Sequence, residues 1–256
     1  MLKEPEIILT VAMSVETRGL QPILEDRQTL QNAGLRGAGG SIAGTSTWIV
    51  ETGVGPGPAR ETTQKILDLG PRAIVATGLA GALSRALRPG ALILPHEIRS
   101  PAAPEGPGIF PAPTLLATAR AAVGGSRIST STGVLLTVDR AIHRPVEKSA
   151  LAATTGASAV DMESAAILQV AAAAHVPALV LRGISDGARD TLPTFEGKDP
   201  TRLPGQLAIA GEALASPRKL RNLLSIARGT RRAFKSMGFA HAALVPALAR
   251  TLQDGY

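Results

Sequence analysis

Residues 159–186 read AVDMESAAILQVAAAAHVPALVLRGISD, and the order of patterns in this stretch decides the fold. Ala159 to Asp161 is a short apolar run closed by an acid. Ser164 to Ala174 is an alanine-rich run of helix formers, and Ala178 to Ile184 is a second apolar run of strand length. A strand, a helix and another strand follow in succession. Each strand exit carries polar groups: Asp161-Met162-Glu163-Ser164 at the first and Arg182-Gly183-Ile184-Ser185-Asp186 at the second. Open α/β sheets bind ligands beyond the carboxyl ends of their strands, so both clusters stand where a site is expected.

The same alternation extends outward. Strand-like runs occupy Glu6 to Met13, Thr47 to Thr52, Ala73 to Thr77, Ala91 to Pro95 and Ser129 to Leu136. Helical runs occupy Ala59 to Leu69, Thr114 to Val123 and Val146 to Thr155. Strand and helix in turn imply an α/β layered fold. The Pro- and Gly-dense segment Ser100 to Pro113 reads as a loop, and Thr191 to Pro204 separates the last strand from a helical tail. The expected organisation is a body over residues 1–204 and a basic helical extension over 205–256.

Composition narrows the function. A chain of 256 residues buries enough surface to fold without staples, and its lack of cysteine excludes thiol catalysis, Cys-ligated zinc and a disulfide scaffold. That usage accords with a reducing cytoplasm. Met1-Leu2-Lys3-Glu4-Pro5-Glu6 places acids and a proline where a signal peptide needs an apolar core, so a cytoplasmic location is expected. The longest apolar stretch, Val170 to Leu181, is broken by His175 and Pro177 and falls short of the ~18–20 residues that span a bilayer.

The net charge of +7 is uneven. Residues 1–212 hold 19 basic and 19 acidic groups, whereas residues 213–256 carry Arg218, Lys219, Arg221, Arg228, Arg231, Arg232, Lys235 and Arg250 against Asp254. At about 100° per residue, Leu220, Leu223, Leu224, Ala227 and Phe234 share one helical face, with Arg218, Arg221, Arg228, Arg232 and Lys235 on a flank. Such a helix packs on the body as an ordinary surface helix or rests peripherally on an anionic membrane. Nucleic acid is a poor partner for it, because Phe234 and Phe239 are its only stacking groups before the terminal Tyr256.

The chain has no GxxxxGK[ST], HExxH or GxSxG, and His96, His143, His175 and His241 lack ligand spacing. No metal or cofactor is expected. Gly53-Val54-Gly55-Pro56-Gly57 follows a strand and opens a helix, a context in which backbone N–H groups hold an anion or the nucleophile. Glu16, just past the first strand, adds an acid at another strand exit.

Taken with their order and spacing, Ala12-Met13 to Glu16, Gly53-Val54-Gly55, Ala76-Thr77-Gly78-Leu79-Ala80-Gly81-Ala82-Leu83, Asp161 to Ser164 and Arg182 to Asp186 resemble the purine nucleoside phosphorylase and nucleosidase superfamily. The resemblance spans most of residues 6–193. It implies a single three-layer αβα domain around a mixed sheet, and an enzyme that cleaves the N-ribosyl bond of a purine nucleoside. The alanine-rich body and the tail from Ser216 through Phe234 are similar to the hopanoid-associated branch, which implies release of adenine from adenosylhopane. Methylthioadenosine/adenosylhomocysteine nucleosidase and purine nucleoside phosphorylase remain alternatives. So does a non-catalytic domain that binds membrane or nucleic acid through its tail.

The chemistry needs a protonated leaving base and a stabilised cationic sugar. By resemblance Asp186 is the general acid toward N7, a role that requires it to hold a proton through burial or a bond to the purine, and Ser185 orients it. Glu163 accepts hydrogen bonds from the ribose hydroxyls, Met162 packs on the sugar, Glu16 orients or deprotonates the attacking water with Arg182 beside it, and Met13 lines the 5′ side. A carboxylate at position 16 favours water over phosphate. Leu79 stands where nucleosidases of the superfamily usually carry Ser. The stretch Gly133 to Asp139, including Val138, lacks an aromatic to stack on adenine, so aliphatic contacts must hold the base. Relatives are commonly dimers or hexamers, and a homo-oligomer is expected.

Overall fold

The computed structural model describes residues 3–32, 34–100, 108–126, 128–192 and 217–255. Its strands are β1 (Ile7–Val11), β2 (Glu25–Asn32), β3 (Leu35–Ile42), β4 (Thr45–Glu51), β5 (Ala73–Ala82), β6 (Leu92–Ile93), β7 (Glu97–Arg99), β8 (Thr130–Ser131), β9 (Val134–Thr137), β10 (Ala159–Asp161) and β11 (Ala178–Asp186). The helices are α1 (Ser14–Leu20), α2 (Pro56–Leu67), α3 (Pro113–Gly124), α4 (Pro145–Thr155), α5 (Ser164–Ala173) and α6 (Pro217–Gln253). All strands join one mixed sheet in the order β2-β3-β4-β1-β5-β10-β9-β7, with β11 between β5 and β6, and β8 beside β6.

The central strands β1, β5 and β11 are mostly apolar and almost wholly buried because both of their faces are covered. Ile7, Leu9 and Val11 enter one core with Leu20 of α1, Leu115 of α3 and Met237, Leu244 and Leu248 of α6. Their neighbour Ile8 enters the other core, with Ala59 and Ile66 of α2 and Ala165 and Leu168 of α5. β11 divides in the same way, Leu179 and Leu181 to the first core and Val180 to the second. This period of two around a buried sheet makes the three-layer αβα arrangement.

β5 is the branch point. Its first half pairs in parallel with β1 up to Thr10↔Ala76, its other edge pairs in parallel with β11, and its end pairs antiparallel with β10 at Gly81 and Ala82. One edge of β5 therefore changes partner between Ala76 and Gly81.

Elements without a clear apolar period escape a reading of the sequence. β2 (EDRQTLQN) is polar and β3 (LRGAGGSI) is glycine-rich. Their ladders with each other and with β4 make them strands. The short α1 and β7 were likewise not anticipated, and the run Ser129 to Leu136 divides into β8 and β9. Of the loop expected over Ser100 to Pro113, residues 101–107 lie outside the described residues; Ile109 bridges to Ile98. The boundary expected at residue 204 also lies outside them.

The long helix does not bury the face its leucines suggest. Leu223 is half-buried, Leu224 is 43% exposed and Ala227 is exposed, while Gly229, Ala233, Met237, Ala240, Leu244 and Leu248 face the body. A close backbone contact sets this rotation: a Cβ at Gly229 would lie 2.1 Å from the Ser185 carbonyl oxygen, so α6 meets the end of β11 there. From Gly229 onward α6 is part of the core. Phe234 packs against that core only partly buried.

Candidate active site

Glu16 lies in the first turn of α1, just beyond β1, and is 2% exposed. Its Oε2 accepts the N–H groups of Ala12 (2.8 Å) and Met13 (3.0 Å), and its Oε1 accepts that of Leu79 (2.7 Å). Leu79 belongs to the interval of β5 between the β1 and β10 ladders, so the carboxylate serves a donor left over by the change of strand partner. Burial pushes the Glu16 carboxyl above its ordinary value, against the opposing pull of Arg182 and the three N–H donors. Gly78 is what allows the approach: it has φ +116°, and a Cβ there would lie 2.7 Å from Glu16 Oε1 and 2.9 Å from Arg182 Nη1.

Arg182, 1% exposed, lies at the centre of the acids. Its Nη2 pairs with Asp161 Oδ2 at 2.7 Å and lies 3.6 Å from Glu163 Oε2; Nε and Nη2 donate to Ser164 Oγ, and Nη1 donates to the Thr77 carbonyl. Burial works against its charge, but Asp161, Glu163 and Glu16 together outweigh it and hold the guanidinium above its usual value. Sequence reasoning stationed Arg182 beside the nucleophile. The structure puts Arg182 and Glu16 together against Gly78, engages all three guanidinium nitrogens with protein groups and makes Arg182 the counter-charge of the carboxylates.

Asp161 Oδ1 accepts from Thr137 Oγ1, and its Oδ2 accepts from the Ser164 N–H and hydroxyl as well as from Arg182. Glu163, 5% exposed, accepts the Gly55 N–H on Oε1 at 2.8 Å. Burial pushes Glu163 up to about 7, opposed by Arg182 and reinforced by Asp161. The glycine loop was expected to hold an external anion; the N–H of Gly55 is instead taken by this internal one. Gly53, like Gly55, has positive φ and shapes the turn.

Asp186 ends β11 and is buried. Its Oδ1 accepts from Ser185 Oγ at 2.6 Å, and its Oδ2 accepts from Lys148 Nζ in a salt bridge. Lys148, from α4, is fully buried and also donates to the carbonyls of Gly187 (2.9 Å) and Asp190 (3.3 Å). Burial or a bond to the purine was expected to condition Asp186. The structure adds a buried cation, and the acid functions as half of a pair.

The remaining expected residues line the same region or lie just behind it. Met13 caps α1, Leu79 is half-buried beside Glu16, and Val138 packs with Leu136 and Ile142, against which Met162 rests. Sequence reasoning missed Lys148, the pairing of Asp161 with Arg182, and Thr77, whose hydroxyl bonds His241 Nε2 at 2.8 Å. His241, fully buried in α6, is pushed down to about 3 and is neutral. Asp161-x-x-Ser164 at a strand exit is a detectable capping signal; a lysine within an alanine-rich helix carries none.

Residues 6–203 match the family model described as the phosphorylase superfamily. The 5′-methylthioadenosine/S-adenosylhomocysteine nucleosidase of Pseudoalteromonas translucida is 28% identical over 202 residues, 72% of this chain and 86% of that protein. The enzyme of that name from Shewanella piezotolerans is 29% identical over 195 residues, 70% of this chain and 85% of that protein. Among solved structures, the Colwellia psychrerythraea nucleosidase in complex with adenine superposes with a TM-score of 0.73 at 21% identity, covering 96% of this chain and 97% of that one. The futalosine hydrolase of Helicobacter pylori superposes with a TM-score of 0.69 at 19% identity over 99% of each chain. At these identities the structural likeness establishes the fold.

Proposed function

This chain belongs to the phosphorylase superfamily, and from that premise we propose that it hydrolyses the N-ribosyl bond of a purine nucleoside, with water as the nucleophile. One observation carries the choice of water. A phosphorolytic site must hold a phosphate dianion, yet Arg182 and Lys148, the buried cations of the described site, are both engaged by its own carboxylates. Adding a further anion to Glu16, Asp161 and Glu163 is opposed by charge repulsion that burial strengthens.

In the proposed reaction Asp186 meets N7 of the base. Lys148 Nζ passes its proton to the Asp186 carboxylate, and the carboxyl so formed gives that proton to N7, so the pair acts as one donor and Lys148 is left neutral. The C1′–N9 bond breaks and its electron pair leaves with the purine. Water adds to C1′ and yields its proton to Glu16, whose affinity for protons burial raises. Glu163 accepts the ribose hydroxyls and stabilises the cationic ring. Arg182 keeps the acids in position without touching the reacting atoms. Met13 and Leu79 line the 5′ side, and Val138 and Met162 supply aliphatic contact for base and sugar.

The substrate we favour is adenosylhopane, with adenine as the released base. The support is the family resemblance and an α6 that between residues 221 and 228 carries exposed Arg221, Leu224 and Arg228. A membrane-borne substrate is reached from an anionic surface by such a helix, each nearby cation contributing about 1 kcal/mol. Among the described residues no helix is long and apolar enough to cross a membrane. A homo-oligomer belongs to the same proposal. The curated relatives favour a second reading, a small 5′-thio nucleoside as substrate.

Chromatographic detection of adenine from adenosylhopane in detergent and from methylthioadenosine, each with and without phosphate, tests these readings. We expect phosphate-independent release from the lipid nucleoside. Release from the small nucleoside alone transfers the proposal to the second reading, and a requirement for phosphate refutes hydrolysis.

A further inference from the structure

Apart from the acids, the described residues line an open cavity of about 610 Å³ between the Arg85–Pro89 turn, the Gly187–Asp190 loop and α6. Arg85, Arg88, Arg189, Arg228 and Arg232 line it, with Asp190 as the one carboxylate among the described lining residues. Asp190 is already employed within the fold, because its Oδ2 accepts the Gly187 N–H at 2.8 Å. Among the described residues, none of these arginines makes an ion pair.

Guanidinium groups keep their charge at any working pH, so these five concentrate positive potential in the cavity, and its concave walls focus that potential. The walls are built into the structure. Ser236 of α6 donates to the Gly90 carbonyl at 2.7 Å, and Gly229 of α6 meets the Ser185 backbone, so the arginines of the helix are held opposite those of the two loops. A guanidinium fork fits phosphate oxygens in pairs, and a volume within the ~300–1,000 Å³ of small-molecule sites has room for more than one phosphoryl group.

We propose that this cavity binds a phosphate-bearing anion, with Arg85, Arg88 and Arg189 contacting it from the body and Arg228 and Arg232 from α6. The bound group lies against the loop whose Gly187 and Asp190 carbonyls hold Lys148, so the two sites share a wall. The proposal does not depend on the reaction assigned above.

Two probes distinguish the source of the phosphate: pyrophosphate, followed by titration calorimetry, and vesicles of phosphatidylglycerol against phosphatidylcholine, followed by flotation. The full chain is compared with the triple variant Arg85→Gln/Arg88→Gln/Arg189→Gln and with a charge-matched control, Arg27→Gln/Arg120→Gln/Arg250→Gln. All six side chains are exposed, and melting curves confirm that each protein is folded. We expect pyrophosphate binding to weaken at least tenfold in the cavity variant and less than twofold in the control. Binding to phosphatidylglycerol vesicles alone, lost in the cavity variant and kept in the control, assigns the site to a lipid headgroup. Absence of binding to either probe, or equal weakening in both variants, overturns the proposal.

Discussion

Replacing Glu163 with glutamine should change how the stability of the protein depends on pH, in a direction that burial dictates. In the folded protein the carboxyl is pushed up to about 7 from an ordinary 4.5, with burial as the largest cause. Below 4.5 the folded and unfolded states both hold the proton. Between 4.5 and about 7 the unfolded chain has released it and the folded protein has not, so stability falls as pH rises through this window; above it the loss is complete. At about 1.4 kcal/mol per unit, the window corresponds to about 3 kcal/mol, a large share of the ~5–15 kcal/mol that holds a domain together. Glutamine keeps an acceptor for the Gly55 N–H and cannot ionise, so the difference between the two proteins isolates this group. Urea unfolding followed by circular dichroism at about pH 4.5 and about pH 8 measures it, and wild type should lose about 3 kcal/mol relative to Glu163→Gln across that interval. A difference that stays constant between the two conditions refutes the argument, since it means that Arg182 and the Gly55 N–H cancel the desolvation. In wild type, kcat/KM for adenine release should climb as pH passes through about 7, because only the ionised carboxylate is a full acceptor for the ribose hydroxyls.

Two further substitutions probe the neighbouring groups. Lys148→Met leaves Asp186 buried without its cation and should cost about 3–5 kcal/mol in urea unfolding, whereas Lys148→Met with Asp186→Leu should regain most of the loss; a single variant as stable as wild type contradicts the buried pair. Gly78→Ala forces a Cβ against Glu16 and Arg182 at a positive φ, and should cost about 1–3 kcal/mol in thermal unfolding and lower adenine release at least tenfold.

The legible part of the molecule was the part with local periodicity. β10 and α5 were read nearly to the residue, because an apolar run, an acid and an alanine-rich segment each leave a short-range pattern. β2 and β3 were not, because a polar edge strand and its glycine-rich neighbour are specified by ladder hydrogen bonds with residues elsewhere in the chain. α6 was read as a helix, but which of its faces turns inward was left open by the pattern. The close approach of the Gly229 backbone to Ser185 decides it, and leaves Leu224 exposed.

The sequence by itself determined which strand exits carry polar groups and which residue types stand there: Glu16, Glu163, Arg182, Ser185 and Asp186 all follow from where apolar runs stop. What those groups do to one another was decided only by the tertiary structure. The Leu79 N–H reaches Glu16 across 63 positions, Gly55 reaches Glu163 across 108 and Lys148 reaches Asp186 across 38. A buried charge must find its partner wherever the packed chain brings one, and no local pattern encodes that distance. Arg182 thus became the counter-charge of three acids, the glycine loop a donor to Glu163, and a lysine on α4 the partner of the proposed acid.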